Sequence, residues 1–182
     1  ECDLCPLGRA TDQMQQAQCG SCAAGYFANT TGLHECNACS PGTSQISTGR
    51  SGCVDCSRGT YSVSPAAQVC SLCEVGRSTN TTASDECSLC DEGRFQSSSG
   101  ETSCSLCAPG AFSGSLEQTT CQFCSPGTFS NVSGMSLCLD CAVGTFQPAS
   151  ASSAAHAKVT RKAWVRRFDI WWYPDNRYQP SL

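Results

Sequence analysis

Apolar side chains stand singly along most of this chain rather than in runs. In the stretch CSPGTFSNVSGMSLCLDC, residues 124–141, one aromatic lies in a short alternating segment, GTFS, and a polar segment rich in Ser, Gly and Asn follows it. Alternation of this kind is typical of a half-exposed strand, and Ser, Gly and Asn favour turns. The pattern therefore predicts a short β-ribbon that turns back on itself, with little helix.

This stretch is one of nine tandem units. CxxC pairs recur every 17 residues without an insertion, beginning at Cys2, Cys19, Cys36, Cys53, Cys70, Cys87, Cys104, Cys121 and Cys138. A glycine follows every pair at the same offset, from Gly8 to Gly144, and six units carry an aromatic two residues after it. A position filled by glycine in all nine units indicates a positive φ angle or a close backbone approach. We call it the repeat glycine.

Eighteen cysteines in 182 residues are typical of a disulfide scaffold. One aromatic per unit buries far too little surface to offset the ordering of 17 residues, so cross-links and stacking of neighbouring units must stabilise each unit. The predicted fold is a small disulfide-rich repeat protein, an elongated rod or solenoid of nine 17-residue units with short β-ribbons. Residues 1–147 form the repeats, and residues 148–182 form a non-repeat basic and aromatic tail.

Loop entropy favours one disulfide scheme. A bond inside a CxxC motif closes about four residues and stabilises by about 1.9 kcal/mol, whereas a bond across the intervening loop closes about 15 residues and stabilises by about 3 kcal/mol. A crossed scheme, with Cys2–Cys19 beside Cys5–Cys22, stays open, but it uses units two at a time and leaves one of nine over. The loop scheme leaves Cys2 and Cys141 unpaired or linked outside the chain, and it predicts the pairs Cys5–Cys19, Cys22–Cys36, Cys39–Cys53, Cys56–Cys70, Cys73–Cys87, Cys90–Cys104, Cys107–Cys121 and Cys124–Cys138.

Metal binding and catalysis are the competing uses of such cysteines. Two CxxC pairs could form a four-cysteine zinc site, but nine pairs do not divide evenly into such sites, and His34 and His156 lie at no ligand spacing. The CGSC motif at Cys19–Cys22 resembles a dithiol active site, but the strand and helix that activate such a thiol are not predicted around it. With no catalytic triad, phosphate-binding loop or paired carboxylates, the sequence predicts no enzyme, metal or cofactor.

The motifs CSPGTFSNVSGMSLCLDC and CAPGAFSGSLEQTTCQFC resemble the ephrin-receptor-like cysteine-rich repeat. They are also similar to the smallest modules of tumour-necrosis-factor-receptor domains. The resemblance covers about residues 1–147 and implies an extracellular, elongated, disulfide-linked rod without catalytic residues. Repeats of this type occur in receptor ectodomains, in secreted adhesion proteins and in surface proteins of protists.

Three N-glycosylation sequons stand at Asn29, Asn80 and Asn131. They lie 51 residues apart, which is three units, and each asparagine holds the same place in its unit. Asn and Ser are common in turns, so chance sequons are the alternative. The shared phase favours N-linked glycans on exposed loop tips of every third unit.

The tail differs from the repeats in charge and composition. Five Arg and thirteen acidic residues give residues 1–147 a charge of −8, whereas six basic residues and two Asp give residues 148–182 a charge of +4. Neither charge is large enough to argue for nucleic acid. Trp and Arg dominate interface hot spots, so docking on another subunit is one interpretation of the tail; disorder or a wrong reading frame, and lying on a membrane surface, are the others. The docking residues are Trp164, Arg166, Arg167, Trp171 and Trp172.

Constant unit length favours repetition for geometry. The sequence therefore predicts a structural extracellular rod, a component of a secreted or cell-surface filament, appendage or matrix, with other subunits of a homo- or hetero-polymer as partners. The alternative is the ligand-binding ectodomain of a receptor or adhesin. A flagellar appendage is a setting that rests on the resemblance alone. No apolar run approaches the roughly 18 residues of a membrane-spanning helix.

Overall fold

The computed structural model describes residues 2–154, 156–157, 170–172 and 178–180. Within these residues the chain contains short strands and no helix. Consecutive strands pair into two-stranded antiparallel ribbons. The strands are β1 (Arg9–Ala10), β2 (Gly20–Ser21), β3 (Tyr26–Phe27), β4 (Asn37–Ala38), β5 (Thr43–Ser44), β6 (Val54–Asp55), β7 (Thr60–Tyr61), β8 (Ser71–Leu72), β9 (Arg77–Ser78), β10 (Ser88–Leu89), β11 (Arg94–Phe95), β12 (Ser105–Leu106), β13 (Ala111–Phe112), β14 (Gln122–Phe123), β15 (Thr128–Phe129), β16 (Leu139–Asp140), β17 (Thr145–Phe146), β18 (His156–Ala157), β19 (Ile170–Trp172) and β20 (Tyr178–Pro180).

Each ribbon of the repeats straddles two sequence units. Its first strand follows the repeat glycine, and its second strand is the pair of residues inside the next CxxC motif. In the first ribbon Arg9 pairs with Ser21 and Ala10 pairs with Gly20. The unit that folds is therefore offset from the unit that the cysteine spacing marks in the sequence.

Three backbone hydrogen bonds join each unit to the next. The repeat glycine donates its N–H to a carbonyl of the following unit, as Gly8 does to Ala28 at 2.9 Å. The turn of the following unit donates back, as Gly32 does to Cys5 at 2.8 Å. In the third bond, the residue three positions after the repeat glycine donates its N–H to a carbonyl in the turn of the following unit. All three recur at each of the eight junctions between the nine units.

The repeat geometry continues beyond residue 147. Ala151 donates its N–H to Cys124 at 3.0 Å, as the equivalent turn residues do in earlier units. The ninth ribbon pairs Thr145 with Ala157 and Phe146 with His156. Beyond Ala157 the described residues form one more ribbon, β19–β20. The division of the chain into repeats and tail stays a prediction.

The core consists of cysteines and small or polar residues rather than aromatic side chains. The second cysteine of each of the first eight units is at most 5% exposed. Beside it the tenth residue of each unit from the second onward is buried, a column made of Ala28, Gln45, Ser62, Thr79, Gln96, Ser113, Ser130 and Gln147. The predicted fold class, a disulfide-rich repeat of 17-residue units with short ribbons, is confirmed by this arrangement.

Candidate functional site

Eight disulfides connect neighbouring units. They join the pairs that close the 15-residue loops, from Cys5–Cys19 to Cys124–Cys138, and not the crossed pairs. The Cα atoms of each pair lie 5.6–5.7 Å apart, within the range that a disulfide spans without moving the backbone. Cys2 is exposed, Cys141 is half-buried, and neither forms a disulfide.

The repeat glycine is held under the turn of the unit two positions further along the chain. A Cβ atom added to Gly59 would lie 2.0 Å from the carbonyl oxygen of Gly100. The same clash occurs at the repeat glycines of the first seven units, at 2.0–2.4 Å. All nine repeat glycines also have a positive φ angle. Both reasons inferred from the sequence therefore apply, and the close approach extends the stacking to units that are not adjacent.

The fourteenth residue of each unit, the turn residue, has a positive φ angle in all nine units. Four units place glycine there and five place another residue, namely Gln15, Ala66, Ala83, Glu117 and Ala151. At three of these four glycines a leucine of the preceding unit lies against the turn, and at Gly49 the nearest atom is Oγ of Ser21. The Cδ2 atom of Leu72 is 2.9 Å from the Cβ position of Gly100, and that of Leu106 is 2.7 Å from the Cβ position of Gly134. The sequence showed this second glycine but not the leucine that lies against three of its four copies.

In seven units a buried polar side chain at the tenth position forms hydrogen bonds within its own loop. Gln96, which is 8% exposed, donates from Nε2 to the Ser103 carbonyl at 2.8 Å and accepts from the Ser98 N–H at 3.1 Å. Gln45 makes the equivalent two bonds. Among the described residues no buried side-chain nitrogen or oxygen lacks a partner. Sequence reasoning missed this column, although its polar or small character in all nine units was a visible signal.

The position of the recurring aromatic adjoins the disulfide two units further on. Two of the three units that lack the aromatic show this directly. The hydroxyl of Ser44 lies 3.3 Å from the sulfur of Cys70, and that of Ser78 lies 3.4 Å from the sulfur of Cys104. In the other units Phe27, Tyr61, Phe95, Phe112 and Phe129 hold the same place and are half-buried.

An ion pair also joins units that are two positions apart. Nε of Arg77 donates to Oε1 of Glu117 at 2.6 Å. The hydrogen bond to Glu117 raises the pKa of Arg77 above its ordinary value. Both side chains are more than a third exposed, so water screens the pair and its contribution to stability is small. The pair shows that side chains, like the repeat glycines, contact the unit two positions further along the chain.

The three sequon asparagines, Asn29, Asn80 and Asn131, are exposed. Each directly follows the buried tenth residue of its unit, at the start of the turn. The hydroxyl residues that complete the sequons are exposed as well. In two units without a sequon, the equivalent residues Ile46 and Val63 are 71% and 64% exposed. This position points to solvent whatever residue occupies it.

Only two of the five predicted docking residues of the tail lie in the described part of the chain. Trp164, Arg166 and Arg167 lie outside the described residues. Trp171 and Trp172 belong to strand β19, of which the backbone is described. Their role in docking stays a prediction.

The described part of the chain lacks two features. It holds no group of three or more His, Cys, Asp or Glu residues that could hold a metal ion. Nor does it contain a helix long and apolar enough to cross a membrane.

The stacked ribbons and the regular disulfides define the class, a small cysteine-rich repeat domain. Residues 110–156 match the family model described as tyrosine-protein kinase ephrin type A/B receptor-like. A search of curated proteins finds no match. The match confirms, over residues 110–156, the resemblance to the ephrin-receptor-like cysteine-rich repeat that the motifs showed.

The matched repeat indicates a coarse setting for this protein. Ephrin-receptor-like repeats are non-catalytic modules of extracellular, receptor-type ectodomains that interact with other proteins. The eight disulfides agree with this setting, because disulfides persist in oxidising compartments outside the cytosol.

Proposed function

We propose that this protein is a structural extracellular rod, which holds other parts of a secreted or cell-surface assembly at a set distance. The observation that carries the proposal is that the junctions between units are all alike. The same three hydrogen bonds recur at all eight, and the same close approach recurs from the first unit to the seventh. A unit therefore adds length in one direction, as in other solenoids.

Small-angle X-ray scattering tests the rod. Deletion of residues 53–103 removes three whole units of the nine. A rod loses about a third of the length of its repeat array. The radius of gyration of a globular particle instead falls only as about the 0.38 power of chain length. The full-length chain serves as the reference, and a maximum dimension that barely changes would overturn the proposal.

The native oxidation state of the cysteines is part of the proposal. We expect peptide mapping of the non-reduced protein to recover the eight loop-closing pairs and to find Cys2 and Cys141 outside them. Links inside the CxxC motifs, or bound metal, would contradict it. A Cys2 or Cys141 thiol joined to another chain would show as a band of higher mass on a non-reducing gel.

N-linked glycans at Asn29, Asn80 and Asn131 belong to the same proposal, since the asparagines are exposed and share one phase. Thr31→Ala destroys the first sequon, whereas Thr30→Ala leaves it intact and is the matched control. In secreted protein, Thr31→Ala should lower the mass that glycosidase removes by one glycan, and the control should leave that mass unchanged. If secreted, fully oxidised protein shows no change of mass with glycosidase, the glycans are ruled out and the rod proposal stands.

Polymerisation distinguishes the two uses of such a rod. A filament or matrix component associates with further copies or with other subunits. A receptor or adhesin ectodomain, the second candidate, is favoured by the match to a receptor-type family and binds a ligand as a separate particle. Negative-stain images of the native material separate them, because they show either continuous filaments or isolated rods. Filaments on cilia or flagella would support the appendage setting.

A further inference from the structure

The ninth unit ends the repeat array with an open face. Seven repeat glycines lie under the turn of the unit two positions on, but a Cβ atom added to Gly127 or Gly144 would meet no atom of the described residues within 4 Å. No tenth unit follows, because Ala155, Lys158 and Arg161 stand where its two cysteines and its glycine would be.

Matched positions show how much of this face is bare. Val143 is fully exposed, whereas Val75, at the same place in the fifth unit, is 43% exposed. Cys141 is half-buried and unpaired, whereas its equivalents in the first eight units are at most 5% exposed. The N–H of Gly144 is the donor that in the eight earlier units bonds to the next unit. The face thus combines apolar surface with a backbone donor.

We propose that the last part of the tail, residues 158–182, docks on this open face and caps the array within the same chain. An array of stacked units needs a terminal cap, since its last interface is otherwise exposed to water. This segment continues directly from the ninth ribbon, because strand β18 ends at Ala157, and Ala157 pairs with Thr145 of the ninth unit.

The composition of the tail fits a cap of this kind. The segment 158–182 has 25 residues, more than one 17-residue unit, and it holds all three tryptophans of the chain. Large aromatic side chains and Arg stabilise an interface once they are buried. The tail carries a charge of +4 against −8 on the repeats, so long-range attraction favours docking on its own array. Docking on a second copy is the competing arrangement, and the test below separates the two.

Intrinsic fluorescence reports on the tail alone, because Trp164, Trp171 and Trp172 are the only tryptophans of the chain. In the full-length protein with its disulfides intact, we expect blue-shifted emission and weak quenching by acrylamide. Val143→Asp places a charge on the open face and should shift emission and quenching towards those of the chain unfolded in guanidinium. Val75→Asp is the matched control at the same repeat position, and it should leave both unchanged.

Three results would overturn the proposal. The first is quenching of the tryptophans in the unmodified protein as strong as in the unfolded chain, a result that needs no variant. The second is an equal change of emission in both valine variants, which would mean that the tail packs elsewhere on the repeats. The third is loss of protection on dilution, which would mean that the occupant is a second copy. Circular dichroism and a thiol count of each variant show that the repeats remain folded. None of these outcomes depends on the rod function or on an extracellular location.

Discussion

At the scale of single residues, glycine meets two separate demands in this fold. Gly59 and Gly127 both have positive φ angles, of 77° and 85°. Only Gly59 also lies under a carbonyl from two units on, because no second unit follows Gly127 in the array. The chain therefore contains an internal comparison between the backbone conformation and the close approach.

We predict that Gly59→Ala destabilises the protein more than Gly127→Ala does. Both substitutions incur the strain of a left-handed residue, of about 1–2 kcal/mol. Gly59→Ala adds an overlap with the Gly100 carbonyl, since a Cβ atom would lie 2.0 Å from that oxygen, so two units must separate. Amide hydrogen exchange at Gly59 and Ala83, with thermal melting of the whole chain, measures the difference. Equal effects of the two substitutions would mean that the close approach contributes nothing.

The turn residue allows a similar comparison. Gly100 and Gly49 both have positive φ angles, but the nearest atom to a Cβ at Gly100 is Leu72 Cδ2 at 2.9 Å, whereas at Gly49 it is Ser21 Oγ at 3.6 Å. Gly100→Ala should therefore lower the melting temperature more than Gly49→Ala does. Leu72→Ala should recover part of the loss when combined with Gly100→Ala. Additive effects in that double-mutant cycle would show that the two side chains are not coupled.

At the scale of the ribbons, the sequence predicted local features well and contacts between distant units poorly. The 17-residue spacing and loop entropy led to Cys5–Cys19 and its equivalents, because each of these pairs closes a short loop. The contact of Gly59 with Gly100, and that of Leu72 with the same turn, join different units, so no local pattern contains them. The loop-fastening role of Gln96 was missed because alternation predicts a burial pattern but not the hydrogen bonds of a buried amide.

The ninth ribbon predicts an added disulfide. Its register, Phe146 opposite His156, is the register that the eighth ribbon has with Phe129 opposite Leu139. Ala155 therefore holds the repeat position of a cysteine that would pair with Cys141. Ala155→Cys should form that bond and stabilise the ninth loop by about 3 kcal/mol, since it closes about 15 residues.

A thiol count under denaturing conditions tests this pairing. The unmodified chain has two free thiols, Cys2 and Cys141. Ala155→Cys should leave only the thiol of Cys2, whereas Ser153→Cys, a control two residues away, should add a third. Three free thiols in the Ala155→Cys protein would show that the ninth ribbon does not hold the repeat register.

At the scale of the whole molecule, stability depends on keeping whole 17-residue units rather than on the length of the chain. A unit is fixed by its hydrogen bonds and disulfides to adjacent units and by the approach of its glycine to the turn two units on. Removal of one whole unit brings equivalent residues into the same relations. Removal of part of a unit breaks these relations on both sides of the cut.

We predict that deletion of residues 53–69 is tolerated better than the smaller deletion of residues 58–67. The first joins Gly52 to Cys70, so Cys39 can pair with Cys70, and the Cys39 carbonyl can accept from the Ala83 N–H as it accepted from the Ala66 N–H. The protein should have seven disulfides and two free thiols, since one new pair replaces Cys39–Cys53 and Cys56–Cys70. Its melting should stay cooperative, because every remaining unit keeps its neighbours.

The smaller deletion keeps all eighteen cysteines but removes a repeat glycine, a strand and a turn. It shortens the separation of Cys56 and Cys70 from 14 residues to 4, which leaves no ribbon for that disulfide to close. Non-reducing peptide mapping should find these two cysteines unpaired or misjoined, with amide exchange accelerated in the units on both sides. If this protein instead folded around one continuous core, the larger deletion would be the more harmful, and the order of the two melting temperatures decides between these descriptions.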